Sequence, residues 1–155
     1  MAAVPEEVSL IRIDELPKAF EPPHGVFERV ILAMTAADRA KVWRRVVAPD
    51  GVEIALALPT GTKLWPGQVL HAAPTKVYVV EAAPEEVLVI HAGNAKEAAF
   101  VGHMIGNLHR DIDIEGDGIV VLYDEPMEER LLRAGLRFER ALRPFLGNAA
   151  KDHVH

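Results

Sequence analysis

The segment HMIGNLH, residues 103 to 109, carries two imidazoles six positions apart, and the chain closes on a second histidine pair, HVH. Imidazole nitrogen is a good ligand for Ni, Cu and Zn, so metal binding is the first chemistry these residues raise. A helix advances roughly 100° per residue, which sends positions six apart in directions roughly 240° from each other. His103 and His109 therefore cannot share one ion from one helix face. Either they are unrelated, or the missing ligands come from elsewhere. His153 and His155 differ in kind, because two imidazoles two residues apart on a flexible segment can chelate a single ion. Of the seven histidines, His24 falls in a Pro-rich loop while His71 and His91 fall at strand ends, where surface or capping roles account for them.

Other chemistries are poorly provided for. Ser9 is the only serine and there is no cysteine, so a nucleophile activated by histidine is excluded in practice. PTGTK, 59 to 63, lacks the glycine and lysine spacing of a phosphate-binding loop and reads as a plain turn. DIDIEGDG, 111 to 118, imitates the start of a calcium loop, but its twelfth position is Leu122 where a bidentate Glu is required. A strand with Ile112 and Ile114 inward and Asp111, Asp113 and Glu115 outward explains the same residues.

The elements that must hold the histidines are legible from composition and pattern. The chain of 155 residues is 50% hydrophobic, enough for one domain or two small ones. No basic-then-apolar leader and no membrane-length apolar run is present, so a cytoplasmic protein with no membrane association is the default. Without cysteine, only His, Asp and Glu remain as strong metal ligands. The formal charge of −6 argues against a nucleic-acid surface, and the basic residues of 40 to 46 and 131 to 144 alternate with apolar ones as solvated faces do.

Up to about Ala73 the pattern is strands and tight turns: VSLIRI, VFERVILAM, KVWRRVVA and VEIALAL, with turns at PDG and PTGT, then TKLWPGQVL as two short strands about Pro66-Gly67. This predicts an all-β N-terminal domain over 1–74, a small sandwich or barrel-like module. From Lys76 the pattern changes to KVYVVEA, EEVLVIHA, a helix over 94 to 109 capped by Asn94, and two strands about Gly116 to Gly118. A helix from Asp124 to Gly135 and a strand LRFERALRPF follow. The β-α-β-β-α-β order predicts a ferredoxin-like C-terminal domain within 75–147, making the class α+β. NAAKDHVH, 148–155, has little to bury and reads as a mobile tail.

With those elements in place, Gly106-Asn107-Leu108-His109 on the first helix of a ferredoxin-like unit resembles the Gly-Asn-x-His signature of the urease accessory protein E family, the nickel chaperones of urease maturation. DGVEIALALPTGTKLWPGQVL resembles that family's N-terminal core, EAAPEEVLVI its interdomain passage, DEPMEERLLRAGL its second helix and HVH its histidine-bearing tail. The similarity runs from about Phe27 onward.

The resemblance implies a homodimer joined through its C-terminal domains, with His109 of each subunit facing its twin across the two-fold axis to bind one Ni(II) ion. A two-fold axis presents every interface residue twice, so one histidine per chain becomes two ligands, and His153 or His155 can add to them. It also implies that no substrate bond is broken. The task is delivery of nickel to the urease apoprotein and its accessory GTPase complex, with the N-terminal domain as the docking module. By ligand chemistry alone Cu(II) or Zn(II) should also bind in vitro.

The departures from the family pattern fall at the rim of the site. Many relatives have Arg before the signature histidine and Pro soon after, where this chain has Leu108 and then Arg110-Asp111. Some carry a further histidine five residues upstream, here Met104 with His103 adjacent, or histidines after the third strand, here Tyr123, Asp124 and Glu125. The long polyhistidine tail of certain members is absent, which favours a lean chaperone over a nickel store. The rival readings are a non-catalytic interaction adaptor with incidental tail histidines and, further off, a carboxylate hydrolase built on Asp111, Asp113 or Glu115.

Overall fold

The computed structural model describes residues 9–18 and 25–147, and the chain divides into two compact units between Glu81 and Ala82. His24, His153 and His155 lie outside the described residues.

The first unit contains β1 (Leu10–Ile13), β2 (Glu28–Met34), a helical turn α1 (Ala36–Arg39), β3 (Trp43–Val47), β4 (Glu53–Ala57), β5 (Val69–Ala72) and β6 (Lys76–Ala82). The strands form two three-stranded sheets, in the orders β1-β4-β3 and β2-β6-β5. One apolar core draws on both, with Ile13, Ile54 and Leu56 from the first and Val30, Leu32, Leu70 and Val80 from the second. Alternation does this locally: in β4 the buried residues are Ile54 and Leu56, every second position. β1 runs parallel to β4, whereas β3 is antiparallel to it.

Two local expectations for this unit need correction. It is not wholly β, because Thr35 accepts a hydrogen bond from Asp38 N at 3.1 Å and caps the single turn α1. The stretch before Pro66-Gly67 is also not a strand: Leu64 N donates to Arg39 O at 2.9 Å, outside any ladder, and only the residues after the turn enter β5.

The turn before β4 is fixed by Asp50, whose carboxylate accepts from Tyr78 Oη at 2.7 Å, Val52 N at 3.1 Å and Lys76 Nζ at 3.2 Å. Burial works to raise the Asp50 pKa, but these three donors and the lysine charge outweigh it and hold the group below its ordinary value. Burial and the same carboxylate push Tyr78 up to about 12.

The second unit contains β7 (Pro84–His91), α2 (Ala95–Asn107), β8 (Asp113–Glu115), β9 (Gly118–Leu122), α3 (Glu125–Arg133) and β10 (Arg137–Pro144). Its four-stranded sheet has the order β10-β7-β9-β8, antiparallel throughout. Both helices pack on one face, where Val101, Ile105, Met127 and Leu131 meet Leu88, Ile90, Ile119 and Val121. Mixed α+β architecture, dominated by sheet, is thus the observed class. Among the described residues no helix is long and apolar enough to cross a membrane.

β8 reverses the expected burial. Asp113 is only 2% exposed on the sheet side away from the helices, whereas Ile114, in register with the helix-facing Ile119, is 60% exposed. The cause is non-local: Asp113 Oδ2 accepts from Leu146 N at 2.8 Å, a donor more than thirty residues away in sequence.

Candidate metal centre

His109 is positioned by the way α2 begins and ends. Asn94 caps the helix by accepting from Glu97 N at 2.9 Å, and Glu97 reaches back to Gly93 N at 3.2 Å, close to a capping box. Val101 and Ile105 fix the inward face. Ala95, Ala99, His103, Gly106 and Asn107 are exposed, with Gly102 half-exposed among them.

At the far end Leu108 is the C-cap and His109 follows with φ 53°, the only positive φ at a non-glycine residue among those described. His109 N donates to Gly106 O at 3.0 Å and Arg110 N to Ile105 O at 3.4 Å. This is the paired bonding of a Schellman cap, and His109 holds the position that glycine usually fills. The count of degrees per residue therefore stops at Asn107, and His109 leaves the helix on its own heading.

The next residue secures the corner. The Arg110 guanidinium pairs with the Asp124 carboxylate, and Asp124 in turn caps α3 by accepting from Met127 N at 2.8 Å. The base of α3 is tied to the sheet by Arg140, which bonds Glu128 at 2.8 and 3.1 Å and stacks over Tyr123 at 4.0 Å. That guanidinium holds Glu128 below the usual carboxylate range. Tyr123, Asp124 and Glu128 thus serve structure at the start of α3.

The other histidines are dispersed. His103 Nδ1 lies 3.5 Å from Asn107 Nδ2, so the signature asparagine partners a histidine one helical turn back. His91 Nε2 lies 3.4 Å from Glu139 Oε1, and the His71 ring is 6.1 Å from that of Tyr78. Among the described residues no group of three or more His, Cys, Asp or Glu side chains is placed to hold a metal ion. Sequence reasoning missed the left-handed backbone of His109 and the buried Asp113. The first had a signal, since no glycine follows the helix where a glycine stop is usual.

Residues 13–83 match the family described as UreE urease accessory protein, N-terminal domain, and residues 85–155 its C-terminal domain. The urease accessory protein UreE of a Synechococcus strain is 50% identical over 133 residues, covering 86% of this chain and 89% of that protein. The same-named protein of Deinococcus radiodurans is 45% identical over 125 residues, 81% of each chain. That of Geobacillus kaustophilus is 34% identical over 122 residues, 79% of this chain and 80% of its own.

Proposed function

Because this chain belongs to the UreE urease accessory protein family, we propose that it is a nickel metallochaperone: a homodimer that holds Ni(II) between two copies of His109 and releases it into the urease active site during assembly. It is an accessory protein of urease maturation and not itself an enzyme. The observation that carries the nickel reading is the backbone of His109. A non-glycine residue in the left-handed region costs roughly 1 kcal/mol, and such strain is kept where the side chain has a use. Here that side chain is an exposed imidazole at a corner braced by Arg110 and Asp124.

The outer face of α2 supports a second copy as the source of the missing ligand. Gly102 and Gly106 lie within the helix, where glycine costs about 0.5–1 kcal/mol relative to alanine. A Cβ at either position would meet nothing within 4 Å inside the chain. Their use is explained if a partner's backbone approaches there. The strand order β10-β7-β9-β8, with both helices on one face, supports a ferredoxin-like reading of the second unit, which we take as the dimerising and metal-holding part.

Two imidazoles, joined by His153 or His155, make a site of few neutral ligands. Such a site exchanges its ion readily, which suits transfer to the urease apoprotein and its GTPase complex in the cytoplasm, with the first unit docking the partners. Imidazole does not select nickel over copper or zinc, so Cu(II) and Zn(II) compete in vitro and metal supply decides in the cell. Equilibrium dialysis against Ni(II), followed by metal analysis, tests the reading: the protein should retain nickel and His109→Ala should lose the tight fraction. An empty wild type would instead favour a non-catalytic adaptor.

A further inference from the structure

The outer face of the β1-β4-β3 sheet in the first unit is built in cross-strand rows. Leu10, Glu53 and Val47 are in register in one row and Arg12, Ala55 and Arg45 in the next, while Ala57 stands beside Trp43 in a third. These residues alternate with Ile11, Ile13, Ile54, Leu56 and Val46, which face the core. Neighbouring strands lie about 4.8 Å apart, so β1 and β3 stand about 10 Å from each other with β4 between them. The central strand carries alanine in two successive rows, and the flanking strands carry arginine and tryptophan. The result is a trough of about 400 Å³ with a floor of Ala55 and Ala57 and walls of Arg12, Trp43 and Arg45.

Floor and walls are both unusual for a surface that faces only water. Alanine is a poor strand former, and nothing taller fills the middle of the sheet. Leu10, Trp43 and Val47 are 53%, 72% and 71% exposed. Single exposed apolar side chains are ordinary, but here three border one groove, and Trp and Arg are enriched among the residues that dominate binding energy at interfaces. The charge points to the occupant. Arg45 Nη1 is 3.1 Å from Glu53 Oε1, whereas Arg12 has no ion pair among the described residues. On a chain of formal charge −6 the trough is therefore locally cationic, with two guanidiniums against one carboxylate.

Successive rows are roughly 7 Å apart, the spacing of every second residue in an extended chain. We propose that the trough docks an extended acidic segment of a partner protein: one carboxylate is held between Arg12 and Arg45 above Ala55, and an apolar side chain two positions along lies on Trp43 above Ala57. That the partner belongs to urease maturation rests on the docking role proposed above for the first unit. The recognition itself needs no metal.

The probe is the peptide acetyl-Ser-Glu-Thr-Leu-Ser-amide, titrated into the full metal-free chain and followed by nuclear magnetic resonance at the Trp43 indole N–H and the Ala55 and Ala57 amides. Saturable shifts are expected there. Arg12→Ala, or lysine in place of the peptide's glutamate, should weaken binding by about fivefold or more, as an exposed charge pair allows. Trp43→Ala should weaken it comparably. Arg29→Ala, on the other sheet of the same unit, should leave it unchanged. No saturable shift, or equal binding of the glutamate and lysine peptides, would overturn the proposal. Tighter binding of inorganic polyphosphate than of the peptide would overturn it in favour of a phosphate ligand, and a fall in oligomer size on Trp43→Ala in favour of a second copy. Arg12→Ala should also keep nickel uptake but slow activation of the urease apoprotein by its accessory complex, and unchanged activation would overturn the urease partner. A wild type that binds the peptide yet takes up no nickel would sink the nickel reading and leave the groove standing.

Discussion

The carboxylate of Asp124 is shared between two helix ends: it caps α3 through Met127 N at 2.8 Å and pairs with Arg110, the residue after His109. The position of the candidate ligand is thereby coupled to the start of a different helix. Asp124→Ala should cost about 1 kcal/mol of stability through the lost cap and should also speed amide exchange at His109 and Arg110. Asp124→Asn, which can still cap, should keep most of the stability but share the faster exchange. Exchange unchanged in both variants would show that the pairing with Arg110 does not hold the corner.

His109 gives a prediction that separates stability from function. His109→Gly should raise the urea midpoint of the metal-free protein by an amount equivalent to about 1 kcal/mol, because glycine accepts the left-handed backbone without a Cβ clash. His109→Ala keeps the Cβ and should show no such gain. Both should lose tight nickel binding. A glycine variant no more stable than the alanine variant would show that the backbone at His109 stores no strain.

Gly106→Ala should strengthen α2 by roughly 0.5–1 kcal/mol, since its new methyl meets nothing within the chain. In sedimentation at low concentration the same change should shift the protein toward monomer, if the proposed two-fold contact lies on this face and the methyl crowds it. A variant that is more stable and equally dimeric would place the interface on another surface.

Asp50 and Tyr78 set a pH window for the first unit. The folded pKa of Asp50 lies below its unfolded value, so its stabilisation is present above about 4 and is lost as pH falls further. Tyr78 is the opposite case: its folded value is raised to about 12 from an ordinary 10, so its contribution is intact below 10 and is lost between 10 and 12. A shift of that size corresponds to about 2 to 3 kcal/mol. Tyr78→Phe should flatten the alkaline limb of a thermal-melt series and move the acid limb upward. An alkaline limb unchanged by Tyr78→Phe would assign it to other groups.

Much of this architecture is local and was therefore legible. Asn94, Asp124 and Gly135 announce where α2 and α3 begin or end, and the alternation of Ile54 and Leu56 announces β4. What escaped the sequence depends on distant partners. Asp113 is buried and Ile114 exposed, the reverse of the strand pattern's expectation, because Leu146 bonds Asp113 on a side of the sheet that the pattern alone assigns to solvent. The conformation of His109 follows from the cap bonds to Gly106 and Ile105, which constrain the backbone whatever residue occupies the position. His109 itself was reached through the motif it ends, and among the described residues no group of three or more possible ligands gathers about it.

The proposed symmetric site at His109 makes a statement about number, and calorimetric titration of Ni(II) into the protein reads it directly. If two copies of His109 build the centre, about one tightly held ion per two chains is expected, with weaker binding through the C-terminal histidines. Affinity should fall as pH drops, because protons and metal compete for imidazole nitrogen. His109→Ala should abolish the tight phase while the dimer persists. One tight ion per chain, or a tight half-per-chain phase that survives His109→Ala, would contradict the shared site.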